Sequence, residues 1–120
     1  MPDIDYGEIL EALNDKVDLS GSWSAPSTNY IDLTLGASGT TYTAPADGYY
    51  QCGINYNAYG AYFVMSNDTA RLASFSRHYC NDNWETRLFM PCKKGDVVQI
   101  GYSNKTSTNH FRFIYAQKTN

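Results

Sequence analysis

The densest group of side chains able to do chemistry lies in residues 78–84, which read His-Tyr-Cys-Asn-Asp-Asn-Trp. Aromatic rings stand here beside short amide and carboxylate groups. In a sugar site, a ring stacks on the apolar face of a pyranose while such polar groups bond its hydroxyls. We therefore predict a ligand-binding loop with five candidates: Tyr79, Asn81, Asp82, Asn83 and Trp84. The alternative is a polar turn in which Trp84 folds back over the core.

A second aromatic and polar group lies at Tyr56, Asn57 and Tyr59. Asn57 and Tyr59 join the predicted ligand-binding residues, with an ordinary half-exposed turn as the alternative. Residues 103–109 are polar and lack large side chains, so we expect a mobile loop tip without a direct role in binding.

Catalytic and metal-binding patterns are weak throughout the chain. There is no Gly-x-Ser-x-Gly, no His-Glu-x-x-His and no glycine-rich phosphate loop. Asp82 and Glu85 are a conceivable pair for glycoside hydrolysis, but two acids three residues apart are usually solvated charges. Asn81, Asp82 and Asn83 offer fewer oxygen ligands than the six or more that Ca²⁺ takes. We expect a non-enzymatic protein without metal or cofactor.

Composition narrows the possible partners. The 120 residues carry a formal net charge of −3 and no basic stripe, so nucleic acid is not an expected partner. No apolar run approaches the ~20 residues of a membrane span, and the acidic N-terminus does not resemble a signal peptide. The three cysteines form no Cys-x-x-Cys pair, and Cys52 and Cys92 fall at apolar alternating positions. They predict buried thiols rather than disulfides.

The spacing of apolar residues divides the chain into residues 1–21 and 22–120. Tyr6, Leu10, Leu13 and Val17 follow heptad spacing and predict a short helix. A helix of this length is marginal alone, so it packs either against copies of itself as an oligomerisation neck or against its own domain.

From Trp23 onward the period becomes two, and aromatic residues make up 15% of the chain, which favours an all-β fold. Turn residues separate eight predicted strands, at 30–35, 40–43, 48–54, 61–66, 71–76, 85–91, 96–102 and 111–117. About eight to ten antiparallel strands form either a jelly-roll sandwich or an up-and-down barrel. Spacing alone leaves both open.

Three segments resemble one known superfamily. They are YTAPADGYYQCG at residues 42–53, MPCKKGDVVQIGY at 90–102 and FRFIYAQ at 111–117. These resemble the Ala-Pro turn, the Lys-Gly-Asp hairpin and the last aromatic strand of the tumour necrosis factor and complement globular-head jelly rolls. The resemblance implies a jelly-roll head built on the short N-terminal helix.

The segment EALNDKVDLSG, at residues 11–21, resembles the helix and link that precede head domains in bacteriophage tail fibres. Such fibres are trimeric. This resemblance implies a homotrimeric, receptor-binding virion protein, synthesised in the bacterial cytoplasm, that attaches to a glycan or protein on the host surface.

In trimeric jelly rolls of this superfamily, aromatic residues of one sheet pack around the threefold axis. The chain holds more aromatic residues than one small core readily buries, so a shared interface is expected, with half-exposed rings as the alternative. The interface candidates are Tyr6, Leu10, Leu13, Val17, Tyr50, Tyr102, Phe111, Phe113 and Tyr115.

The expectation for function is a trimeric head that recognises a bacterial surface ligand. Two alternatives stay open. One is a monomeric carbohydrate-binding module, and the other is a purely structural trimerisation module.

Overall fold

The computed structural model describes residues 25–117, which form eight antiparallel strands and no helix. The all-β prediction is confirmed. The predicted neck at residues 1–21, with Tyr6, Leu10, Leu13 and Val17, lies outside the described residues. Within residues 25–117, no helix has the length and apolar character needed to cross a membrane.

The strands follow the predicted order closely, with differences at their ends. Their bounds are β1 Pro26–Asp32, β2 Thr40–Thr43, β3 Gly48–Tyr56, β4 Tyr62–Asn67, β5 Leu72–Arg77, β6 Trp84–Cys92, β7 Val97–Tyr102 and β8 Lys105–Ala116.

The strand order separates the two architectures that the spacing left open. The first sheet has the order β1-β8-β3-β6, and the second has β2-β7-β4-β5. Only β4 and β5 are both consecutive in the chain and neighbours in a sheet, so the other connections cross between the sheets. An up-and-down barrel would pair consecutive strands throughout. The arrangement is instead a jelly-roll sandwich of two four-stranded sheets.

The core forms where the alternating apolar residues of the two sheets meet. Strand β3 lies inside the first sheet between β8 and β6 and turns Tyr50, Cys52, Ile54 and Tyr56 inward. Side chains of the second sheet, of β8 and of β6 add to the cluster: Phe63, Met65, Val98, Ile100, Phe111, Phe113, Met90 and Cys92. Because alternate residues of a strand point to opposite faces, this pattern leaves Tyr49, Gln51 and Asn55 on the outside.

Three of the predicted interface rings are core residues of a single chain. Tyr50, Phe111 and Phe113 are almost completely buried, with Tyr50 in an edge contact to Phe113 at 5.0 Å between ring centres. They offer no surface to a second copy, because the two sheets already enclose them. Tyr102 and Tyr115 are half-buried, and the Tyr102 hydroxyl donates to the carbonyl of Gly36 at 2.8 Å.

Strand β8 begins six residues earlier than the sequence predicted. Residues 103–109 were expected to form a mobile tip, but only Ser103 and Asn104 make the reversal, with Asn104 in the left-handed region at φ 54°. Residues 105–109 belong to β8, where Ser107 pairs with Asn55 of β3. Pairing with a neighbouring strand overrides the low strand preference of this polar segment.

Three connections meet at one end of the sandwich. The last residue of β3, Tyr56, pairs with Trp84 at the start of β6 and with Lys105 at the start of β8. In the second sheet, Tyr62 at the start of β4 pairs with Arg77 at the end of β5. The connections 57–61, 78–83 and 103–104 therefore lie together, and we call this the loop end.

Candidate functional site

The loop end presents three large exposed rings. Tyr59 is 65% exposed, Tyr79 69% and Trp84 57%. Tyr59 and Tyr79 come from different connections and meet edge to face with ring centres 6.0 Å apart. The backbone N–H of Tyr59 donates to Oδ1 of Asn81 at 3.2 Å. The two aromatic groups that the sequence suggested separately thus form one surface.

A groove of about 470 Å³ opens beside these rings. We call it the loop-end groove, and its lining residues are Tyr56, Ser76, Arg77, His78, Tyr79, Cys80, Trp84, Glu85 and Thr86. It runs between the end of β5 in the second sheet and the start of β6 in the first. Trp84 lies at the rim of the groove and is more than half exposed, so it does not fold back over the core as the alternative prediction had it.

A chain of hydroxyl groups crosses the groove between the two sheets. Thr86 Oγ1 donates to the Tyr56 hydroxyl at 2.8 Å, and that hydroxyl lies 2.8 Å from Ser76 Oγ. Tyr56 is 1% exposed, so these two hydroxyl groups are the partners that satisfy its buried hydroxyl.

His78 holds the connection 78–83 in place. Its ring is buried and stacks on Tyr56 with ring centres 4.7 Å apart. Nε2 lies 2.6 Å from the carbonyl oxygen of Asp82, which can only accept, so Nε2 carries the hydrogen. Cys80 Sγ is 3.4 Å from the same nitrogen. Since a protonated Nε2 cannot take a proton from the thiol, the pair does not form a nucleophile and its base.

The remaining predicted residues occupy the loop end without lining the groove. Asn83 Oδ1 accepts from Thr106 Oγ1 of β8 at 2.9 Å, which ties the connection to the first sheet. The side chains of Asp82 and Asn57 are exposed. Asn57 lies on the 57–61 connection, apart from the groove lining.

Glu85 does not suit the role of a glycosidase acid. One carboxylate oxygen accepts from Arg87 Nε and the other from Asn109 Nδ2 at 2.6 Å. The hydrogen bond from Arg87 is the main cause that lowers the pKa of this carboxyl below its usual value. A general acid in glycoside hydrolysis needs a raised pKa, so the conceivable pair with Asp82 is not favoured. Within residues 25–117, no group of three or more His, Cys, Asp or Glu side chains could hold a metal ion.

The sequence reading missed three groove residues, Ser76, Arg77 and Thr86. Ser76 and Arg77 stand in β5 directly before the aromatic stretch and Thr86 follows it in β6, and that adjacency was the available signal. Across the described part of the chain, the single ion pair is the one between Arg87 and Glu85. Arg77 instead rests over the Phe75 ring, with its guanidinium carbon 5.6 Å from the ring centre.

A second exposed aromatic surface lies on the first sheet, on the face turned away from the second sheet. Strand register places Tyr30 opposite Ile114, Ile114 opposite Tyr49, and Gln51 opposite both Phe89 and Arg112 on this outer face. Phe89 is 62% exposed. The Arg112 guanidinium lies 4.7 Å from the centre of the exposed Tyr30 ring.

Comparisons with known proteins give no family assignment. No protein-family model matches the chain, and no curated protein matches its sequence. The class that fold and site define is a jelly-roll sandwich with an aromatic groove at one end.

Proposed function

We propose that this chain is a non-enzymatic binding head that recognises a bacterial surface glycan through the loop-end groove. The observation that carries the proposal is the meeting of Tyr59, Tyr79 and Trp84 at one end of the sandwich, each more than half exposed. Large rings held in water are costly to solvate and are typical of binding surfaces. Connections on a rigid sandwich are also a common place for binding residues.

A saccharide suits this surface better than an apolar ligand. The groove combines the flat rings of Tyr79 and Trp84 with the hydroxyl groups of Ser76 and Thr86. A pyranose has an apolar face for the rings and hydroxyls for the polar groups. The hydrogen bonds of Asn81 and His78 hold the connections in place, so little ordering would be needed on binding.

The proposed assembly is a homotrimer, as the resemblance to tail-fibre heads implies, with the protein carried in a virion. The outer face of the first sheet supports contact between copies. It carries exposed Tyr30 and Phe89 with arginine, a composition typical of interface cores. It also carries both signs of charge, Arg112 opposite Asp32 on neighbouring strands, so copies can pair opposite charges. Three sites on one head would gain avidity on a repetitive surface.

The test separates binding from assembly with two ring-removing variants. Trp84→Ala should lose binding to purified bacterial surface oligosaccharides, while light scattering finds the wild-type mass. Phe89→Ala likewise removes one exposed aromatic ring. This variant should have a measured mass closer to that of one protomer and an unchanged affinity for a monovalent oligosaccharide.

Three results would count against parts of this proposal. Unchanged binding in Trp84→Ala would remove the groove as the recognition site and favour a purely structural trimerisation module. A wild-type mass of one protomer would favour the monomeric carbohydrate-binding module. Release of sugar by the wild-type protein would overturn the non-enzymatic assignment.

A further inference from the structure

We propose that the loop-end groove selects neutral saccharides over acidic ones, with Thr86 and Ser76 as the residues that contact the sugar hydroxyls. This inference rests on the proposed function, because it specifies the ligand class of the same groove. It goes further by assigning a specificity role to two strand residues outside the aromatic stretch.

The hydroxyl residues of the groove lie on the inner faces of the two sheets. Ser76 pairs with a fully buried residue of β4, and Thr86 pairs with one of β3, so both side chains point between the sheets. Trp84 pairs with the buried Tyr56 and shares the inner face of β6 with Thr86, two residues away. At about 3.3 Å per residue the two positions are roughly 7 Å apart, so a sugar ring stacked on Trp84 has hydroxyls within reach of Thr86.

The two charged lining residues stand at the alternate positions and point to the outer faces. The Arg77 guanidinium lies over the exposed Phe75 ring on the outer face of the second sheet. Glu85 lies on the outer face of the first sheet, where its carboxylate accepts from Arg87 and Asn109. Within residues 25–117, therefore, no carboxylate, guanidinium or ammonium group that lines the groove points between the sheets. An anion bound there would lose water without gaining a cation.

The hydroxyl groups of the groove match a ligand group that both donates and accepts. Thr86 Oγ1 gives its hydrogen to the Tyr56 hydroxyl, so it can only accept from a ligand. Between Tyr56 and Ser76 either oxygen can be the donor, so Ser76 presents its hydrogen or its lone pairs as the ligand requires. A sugar hydroxyl can donate to Thr86, whereas an ionised carboxylate has no hydrogen to donate there.

The experiment compares each neutral sugar with its own acidic form. Oligosaccharides of galactose, glucose and mannose, and the matching oligosaccharides of galacturonate, glucuronate and mannuronate, are titrated against the intact protein. In each pair that binds, we expect the neutral form to bind about tenfold more tightly, because the carboxylate is desolvated without a cation to replace the water.

Substitutions at the two hydroxyl positions test the contacts. Thr86→Val keeps the shape of the side chain and removes the acceptor, so the affinity for a neutral sugar should fall about fivefold. Thr86→Ser keeps the hydroxyl and should bind as the wild-type protein does. Ser76→Ala should lower the affinity by a factor similar to that of Thr86→Val. Arg77→Gln, on the outer face, is the matched control and should change neither the affinity nor the preference.

The outcomes separate this inference from the proposed function. Equal or tighter binding of the acidic forms would overturn the inference and leave the glycan-binding proposal standing. Equal affinities of Thr86→Val and Thr86→Ser for a neutral sugar would overturn the role of Thr86, and a wild-type affinity in Ser76→Ala would do the same for Ser76. A preference lost in Arg77→Gln would show that the outer face decides the ligand class. If no acidic or neutral saccharide binds, both proposals fail.

Discussion

The ring of His110 lies directly over Gly53, its partner across strands β8 and β3. A methyl group added at Gly53 would lie 2.8 Å from His110 Nδ1, closer than carbon and nitrogen pack. The glycine therefore makes room for a ring on the outer face of the first sheet. It also explains why a residue that weakens most strands is found in the middle of β3.

Gly53→Ala should destabilise the fold by about 1–3 kcal/mol, because the added methyl forces the His110 ring off the sheet. Urea unfolding monitored by tryptophan fluorescence would measure the loss. The double variant Gly53→Ala with His110→Ala should be less destabilised than the sum of the two single changes, since the clash is gone. Additive effects in this cycle would mean that the ring and the glycine do not constrain each other.

The fold should lose stability as pH falls below about 6.5, through His110. Burial is the main cause that lowers the pKa of this imidazole, and repulsion from Arg112 and Arg87 adds to it, while Glu85 opposes it. As pH falls, the imidazole therefore takes up a proton in the unfolded chain before it does so in the folded protein. The contribution of His110 to stability is complete above its pKa in the unfolded chain and is lost as pH falls toward its lower pKa in the folded protein.

The measurement is the urea midpoint between pH 8 and pH 5 for the wild-type protein and His110→Gln. The wild-type midpoint should fall more steeply over this window. Parallel curves for the two proteins would show that His110 is not responsible.

Asn67 joins the turns at the end of the sandwich opposite the loop end. It is 0% exposed, and its Nδ2 donates to the carbonyl of Pro91 at 3.1 Å and to Asp96 Oδ2 at 2.9 Å. Its Oδ1 accepts from the backbone N–H of Ala70 at 3.0 Å. The two bonds from Nδ2 reach segments that are distant in sequence, and the bond to Oδ1 closes the local chain reversal after β4.

Asn67→Asp should therefore cost about 2–3 kcal/mol at pH 7, because a buried carboxylate replaces two donors beside Asp96. The cost should shrink at acidic pH, where protonation of the introduced carboxyl removes the buried charge. Asn104→Asp is the matched control, since it makes the same change at an exposed asparagine. Equal effects of the two changes on thermal unfolding would contradict the role given to Asn67.

Alternation of apolar residues was enough to predict most strands. Tyr50, Cys52 and Ile54 mark the buried face of β3 by themselves, because that face is apolar at every second position. The polar start of β8 was missed, since Ser107 is held in the sheet by its partner Asn55 and not by its own preference.

The aromatic residues of the candidate site could be predicted from the sequence, but the arrangement of its polar residues could not. Tyr79 and Trp84 stand out by residue type within one short stretch. The part played by Ser76 depends on the buried hydroxyl of Tyr56, which is a property of the packed sheets. No spacing in the sequence indicates that these hydroxyl groups meet across the two sheets.

The three cysteines should differ sharply in reactivity. Burial raises the pKa of the Cys52 thiol to about 12. The pKa of the Cys92 thiol is also raised to about 12, mainly by burial and, to a smaller extent, by the negative charge of Asp96. Cys80 lies part-exposed in the 78–83 connection. Since the thiolate is the reacting form, only Cys80 should be alkylated quickly at pH 8 in the folded protein.

Mass spectrometry after iodoacetamide treatment would count the modified thiols. We expect one alkylated cysteine in the native protein and three in denaturant, with Cys80→Ser removing the native signal. Rapid native labelling of Cys52 or Cys92 would mean that the sandwich opens far more readily than its packing implies. If a bound oligosaccharide slows the labelling of Cys80, the ligand covers the loop-end groove, because Cys80 is part of its lining.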